Sequence, residues 1–232
     1  MAREYKLKRD TQEKDDKTAT TDIFQRYIKK DKRSINRIIK QQKIMAKAYM
    51  FLANGSEEIE SLIPVDVFRR GGVEIKTVSI TGSELVEMAH GVTVKADLKF
   101  EDAKLEDADL LMLPGGLPGA TNLNDHEGVR NAVLSQYEKG KLVAAICAAP
   151  MVFGSLGIVK GRRATCYPGF EKYLDGAKYT HELCTVDGNV VTGEGPAATF
   201  PYAYTLLEML TTKQTAESVA DGMMYLHLME NK

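Results

Sequence analysis

The apolar positions of this chain change period several times, and each change marks an element. Ala48–Leu52 is an unbroken apolar run, as a strand buried on both faces requires, and it ends in the polar turn Asn54-Gly55-Ser56. From about Glu57 to Arg70 the spacing predicts a helix, stopped by Gly71-Gly72. Val73–Ile80 alternates like a strand, which completes a βαβ unit and calls for a parallel sheet. Leu85–Met88 and Val92–Leu98 flank Ala89-His90-Gly91 as short strands of a hairpin excursion. Asp109–Leu113 predicts the next buried strand, closed by Pro114-Gly115-Gly116, with Leu117–Ala120 as a loop. Glu127–Lys139 has helical periodicity up to Gly140. Leu142–Ile146 is again a short apolar run, and it breaks at Cys147, with a helical pattern from Ala148 onward. Ala164–Cys166 predicts a short strand and Gly169–Leu174 a helical turn. Leu183–Val186 and Val190–Thr192 form a hairpin around Asp187-Gly188-Asn189. Helices follow, one from the Gly193–Pro196 segment to near Leu210 and the last over Thr215–Met229. Strands alternating with helices make an open α/β sandwich with a mostly parallel central sheet.

The first 44 residues break this pattern. They contain no Gly, Pro or Cys and carry 14 Lys/Arg against 7 Asp/Glu, which leaves 17 against 25 for residues 45–232. A formal net charge of -1 therefore conceals a basic segment joined to an acidic domain. Three readings of residues 1–44 stand: a disordered or helical appendage, an upstream start wrongly chosen ahead of Met45, or an arm for nucleic acid or a membrane surface. Residues 45–232, without repeat or linker, read as one domain. Its acidic balance argues against specific nucleic-acid binding. No run nears the ~18 apolar residues of a membrane-spanning helix. Three cysteines with no C-x-x-C, and no signal-peptide pattern, point to a reducing, cytoplasmic setting.

Candidate chemistry gathers at the carboxyl ends of the strands, where open α/β sheets hold reactive groups. Cys147 sits in a strand-to-helix turn with small residues, Ala145 and Ala149, two positions to either side, the spacing of a strained nucleophile turn. Free N–H groups at the start of a helix would favour its thiolate. A buried structural cysteine fits the same stretch. Glu60, beside Leu62 and Ile63, reads as a partly buried carboxyl that could donate a proton next to a sulfur anion, whereas Glu57 and Glu58 read as solvated complements to the helix dipole. Gly115 and Gly116 could bring bare N–H groups to a reacting oxygen or simply make a tight turn. The turn lacks G-x-G-x-x-G spacing, and the four histidines show no metal-ligand spacing, so neither a nucleotide cofactor nor a metal is expected.

In this order, Gly55-Ser-Glu-Glu-Ile-Glu-Ser-Leu-Ile-Pro-Val-Asp-Val67, Leu113-Pro-Gly-Gly116, Ala144-Ala-Ile-Cys-Ala-Ala-Pro150 and Gly195-Pro196 resemble the ThiJ/PfpI superfamily, specifically its DJ-one branch of glyoxalase, deglycase and redox-responsive proteins. The resemblance spans residues 45–232 and none of 1–44. It implies a flavodoxin-like three-layer sandwich that usually dimerises. It also implies a nucleophile at Cys147, a protonated partner at Glu60, and oxyanion amides at Gly115, Gly116 and Ala148. The implied dimer would bring Arg70 and His90 near the partner's site, and Pro196 is a further auxiliary position. Protease-like members carry His directly after the cysteine; here Ala148 stands there, which argues against peptidase activity. Tyr167 occupies the position where some DJ-one members place a histidine, and a tyrosine of pKa ~10 is a poor base near neutrality.

These readings converge on a cofactor-free, cysteine-dependent enzyme acting on a small carbonyl substrate, a methylglyoxal-type 2-oxoaldehyde or its adducts. The alternative is a redox-sensing or chaperone-like stress protein in which Cys147 is oxidised to a sulfinate.

Overall fold

The computed structural model describes residues 45–230, so the expectations for residues 1–44 lie outside the described residues. Seven strands form the central sheet in the order β10-β11-β7-β6-β1-β2-β5. These are β1 (Lys47–Leu52), β2 (Glu74–Ser79), β5 (Leu98–Lys99), β6 (Leu110–Leu113), β7 (Leu142–Ile146), β10 (Cys184–Asp187) and β11 (Val190–Gly193). Every pairing is parallel except β10 with β11. Tyr49 lies opposite both Lys76 and Leu111, which puts β1 inside the sheet, next to the central strand β6. The apolar runs are explained by this placement: each residue of β6, and all of β1 after Lys47, is buried.

Helices cover both faces. The crossover from β1 to β2 runs through α1 (Glu58–Arg70) and moves toward one edge of the sheet. The crossover from β6 to β7 moves the opposite way, through α2 (Gly119–Asp125) and α3 (Glu127–Glu138). Both being right-handed, they fall on opposite faces. Against α1 pack α5 (Thr199–Leu210) and, beside it, α6 (Lys213–Gly222); against α2 packs α4 (Pro150–Ser155). The result is the open α/β sandwich that the alternation of strand and helix predicted, in the three-layer, flavodoxin-like form that the resemblance implied.

The differences are local. The segment after Pro118, expected as loop, becomes α2, because Gly119 can lie against Gly55, where a Cβ would meet the Gly55 carbonyl oxygen at 2.6 Å. The expected last helix is two, α6 and α7 (Tyr225–Glu230), separated at Met224, whose φ of 60° ends one helical run before the next begins. The excursion after β2 is an antiparallel pair, β3 (Leu85–Glu87) and β4 (Thr93–Lys95). Leu98, assigned to that hairpin by periodicity, instead joins the main sheet with Lys99 as its edge strand. A two-residue parallel pair, β8 (Arg163–Ala164) and β9 (Lys178–Tyr179), completes the strands.

Candidate active site

Strands β1, β6 and β7 are neighbours, so the loops leaving their carboxyl ends meet. Cys147 follows β7 with φ 63°, a left-handed conformation that few non-glycine residues adopt. Its backbone is held from two sides: the Cys147 N–H donates to the Gly193 carbonyl at 3.0 Å, and the Tyr167 N–H donates to the Cys147 carbonyl at 2.9 Å. The flanking Ala144, Ala145 and Ala149 are wholly buried, which explains why this turn is built from small residues. Cys147 itself is 9% exposed.

Glu60 approaches from the first turn of α1 and is fully buried. Its Oε2 accepts the Gly115 N–H at 2.8 Å, while Oε1 is buried with no hydrogen-bond partner. Glu57 caps the same helix: its Oε2 accepts the Glu60 N–H at 2.7 Å, and its own N–H donates to the Gly115 carbonyl at 3.0 Å. Glu57, Glu60 and Gly115 thus close a hydrogen-bonded ring that fixes the carboxyl beside the thiol. Gly115 has no room for a side chain, since a Cβ would lie 2.7 Å from both Cys147 Cβ and Glu60 Oε2.

The electrostatics follow from burial. Desolvation pushes the Glu60 carboxyl up from 4.5 to about 7; the Cys147 thiol beside it, a hydrogen donor within reach, opposes this, the charge of Glu57 adds to it, and the Gly115 N–H opposes it. Burial also pushes the Cys147 thiol well above its ordinary value, and the Glu60 carboxylate, by charge and hydrogen bond, pushes it further. Backbone N–H groups of Gly116 and Ala148 pull it back. This corrects the expectation that a helix start would leave the cysteine as a ready thiolate. Helix α4 begins only at Pro150 and spans six residues, so the favourable groups are two individual amides, and a charged Glu60 overrides them. A proton on Glu60 removes that repulsion and supplies a donor for the sulfur.

The DJ-1/PfpI family model matches residues 46–209. The chain belongs to this family. It is 38% identical to protein DJ-1 homolog B of Arabidopsis thaliana over 73% of this chain, and spans only 39% of that relative's length. It is 31% identical to the glutathione-independent glyoxalase DJR-1.2 of Caenorhabditis elegans, over 71% of this chain and 88% of the relative. Among solved structures, oxidized Toxoplasma gondii DJ-1 superposes with a TM-score of 0.74 at 33% identity, covering 77% of this chain and 98% of that one.

Within this DJ-1/PfpI fold the sequence-predicted positions separate into two groups. Cys147, Glu60, Gly115, Gly116 and Ala148 come together, but Gly115 commits its N–H to Glu60, so only the amides of Gly116 and Ala148 are left for the sulfur or a nearby oxygen. Tyr167 lies beside the cysteine through its backbone, with its ring against Gly195. Pro196 opens the 3-10 turn leading into α5. Arg70 forms an ion pair with Asp66 at 2.8 Å on its own helix.

His90 sits at the tip of the β3–β4 hairpin. Its N–H and its Nδ1 reach the two oxygens of Glu58, at 2.6 and 2.7 Å. Burial works to raise the Glu58 carboxyl, but the hydrogen bonds from His90 outweigh it and hold it below the ordinary range. The hydrogen bond to Glu58 in turn raises the His90 imidazole. Glu57 and Glu58 are therefore not the solvated pair that helix-start composition suggested. Glu57 is buried as the cap of Glu60, and the Glu-x-x-Glu spacing at a helix start was the overlooked signal. Nor is the absence of ligand spacing in the sequence the whole account of metal chemistry: Glu57, Glu58 and His90 each present a ligand atom within 4.8 Å of the others. Hollows of about 390 and 240 Å3 both include Asn54, yet neither is lined by Cys147 or Glu60. No helix of the described residues is long and apolar enough to cross a membrane.

Proposed function

We propose that this DJ-1/PfpI protein is a cofactor-free glyoxalase or deglycase, acting on methylglyoxal-type 2-oxoaldehydes or their adducts. The observation that carries the reading is Glu60: a fully buried carboxyl, pushed up to about 7, with one oxygen anchored by Gly115 and the other unpartnered beside a nucleophilic sulfur. A carboxyl of that kind can hold and return a proton near neutral pH. The narrow opening over Cys147 suits a substrate of a few atoms.

In the first step Cys147, ionised while Glu60 holds its proton, attacks the aldehyde carbon. A C–S bond forms, and the carbonyl π pair moves to oxygen, where the Gly116 and Ala148 N–H groups receive it. Glu60 gives its proton to that oxygen and, now a carboxylate, takes the proton from the former aldehyde carbon, whose C–H pair becomes the C=C bond of an enediolate as the ketone π pair moves to its oxygen. The hydroxyl proton on the first carbon's oxygen then passes to the second oxygen, and Glu60 returns its proton to the second carbon, which takes up the C=C pair. The first carbon is oxidised to a thioester and the second reduced to an alcohol, so no outside redox partner is needed. Water then hydrolyses the thioester to a 2-hydroxy acid and frees the cysteine. Tyr167 contributes its backbone N–H, which fixes the turn that carries the sulfur. A homodimer accompanies this reading, supported by Ile59 and Leu62, which lie exposed on α1.

The test is lactate formation from methylglyoxal by purified protein, run beside Cys147→Ser. Turnover that vanishes in the variant supports the reading. No turnover in the wild type, combined with mild-peroxide oxidation of Cys147 to a sulfinate, supports the redox-sensing alternative, which the oxidized form of the Toxoplasma gondii relative keeps in view.

A further inference from the structure

We propose that Glu57, Glu58 and His90 form a binding site for a borderline divalent cation, Zn2+ in the first instance, at the junction of α1 and the β3–β4 hairpin. The three residues come from two separate segments, and the fold brings one ligand atom of each within 4.8 Å of the others. One imidazole and two carboxylates make a donor set suited to Zn2+ and its neighbours, with a fourth position open to water. A tetrahedral ion with bonds of about 2.0–2.2 Å needs ligand atoms about 3.3 Å apart. His90 Nδ1 and Glu58 Oε2 already lie at 2.7 Å, and the three ligand atoms all lie within 4.8 Å of one another.

Three features make this more than a chance meeting of acids. First, the hairpin that carries His90 is pinned to the loop after β1 by backbone hydrogen bonds, Gly55 N–H to the Glu87 carbonyl and Ala89 N–H to the Ser56 carbonyl, so the imidazole is delivered to a fixed place. Second, among the described residues neither Glu57 nor Glu58 is paired with a lysine or arginine, and the histidine is the one group there able to offset two adjacent carboxylates. Third, Glu57 is 93% buried and is held in place by the bond from the Glu60 N–H to its Oε2, so its carboxylate is fixed where a ligand atom meets those of Glu58 and His90. Entry comes from the exposed side of His90. The ion binds the imidazole in its neutral form, through a ring nitrogen that carries no proton.

The inference does not rest on the glyoxalase reading, since none of the three residues contacts the sulfur. It is tested by calorimetric titration of Zn2+ into untagged Cys147→Ser protein, which removes the active-site thiolate as a competing ligand. One ion per chain is expected, with His90→Ala and Glu58→Gln each weakening binding by at least ~10-fold, a loss that even outer-sphere changes can produce. Co2+ in the same protein should give a visible spectrum of nitrogen and oxygen ligands without a sulfur charge-transfer band, and His90→Ala should abolish it. His90 is exposed, so that variant should fold normally and is decisive by itself. Absence of stoichiometric binding to the Cys147→Ser protein, or unchanged binding in His90→Ala, overturns the proposal.

Discussion

Gly115 donates its N–H to Glu60 Oε2 at 2.8 Å across 55 residues of sequence, and this bond joins the turn after β6 to the first turn of α1. It holds Oε2 of Glu60, while Oε1 stays buried without a hydrogen-bond partner. It also withdraws Gly115 from the group of amides that could receive a developing oxyanion.

Replacing Gly115 with alanine should therefore damage the site more than the fold. The added Cβ would lie 2.7 Å from Cys147 Cβ and from Glu60 Oε2, so both must shift. Overpacking of this kind costs about 1–3 kcal/mol. Loss of alignment should lower turnover by ~10²-fold or more. Thermal melting and steady-state kinetics on the purified variant check both; near-normal kinetics would mean that the glycine is only a turn residue.

Glu60→Gln separates proton transfer from nucleophile formation. The amide cannot relay a proton, so turnover should fall by ~10²-fold or more. It also carries no charge, so the carboxylate that disfavours the Cys147 thiolate is gone. Iodoacetamide should accordingly alkylate Cys147 faster in the variant than in the wild type at pH 8. Slower alkylation would show that Glu60 assists ionisation of the thiol.

The same carboxyl makes stability depend on pH. Its folded-state value of about 7 lies above the ordinary 4.5, so between these values the folded protein retains a proton that the unfolded chain has lost. The stabilisation is complete below about pH 4.5 and disappears as pH rises through about 7, a contribution of ~3 kcal/mol. The melting temperature of Glu60→Gln should fall less steeply than that of the wild type across this window. Parallel slopes for the two proteins would refute the assignment.

Tyr167→Phe should leave turnover within a few-fold of wild type. The residue acts on Cys147 through its backbone N–H, and the substitution leaves that bond in place. A loss of ~10²-fold would instead identify the phenol as an acid or base.

Among the three thiols, limiting iodoacetamide should label Cys147 first. Burial pushes all three thiols up, and a charged Glu60 pushes Cys147 furthest, but Cys166 is wholly buried, and Cys147 has the Gly116 and Ala148 N–H groups on its sulfur and a carboxyl whose protonation removes the repulsion. Peptide mapping after partial reaction reads the order, and preferential labelling of Cys166 would contradict the assignment.

The sequence by itself determined the layered α/β fold, because strands buried on both faces must be continuous apolar runs and the long helices between them are ended by glycines, at Gly71 and Gly140. It also determined where Cys147 and Glu60 stand, because small residues around a turn and a carboxyl in an apolar helix leave local marks. What only the tertiary structure decided is how groups distant in sequence divide their hydrogen bonds. That Gly115 serves Glu60 rather than a substrate oxygen, that Glu57 is a buried cap, and that His90 reaches back 32 residues to Glu58 depend on the pairing of β1 with β6 and on the docking of the hairpin. The proton affinities of Cys147 and Glu60 belong to the same class: desolvation depends on everything packed around a group, and a local motif records only the neighbours in the chain.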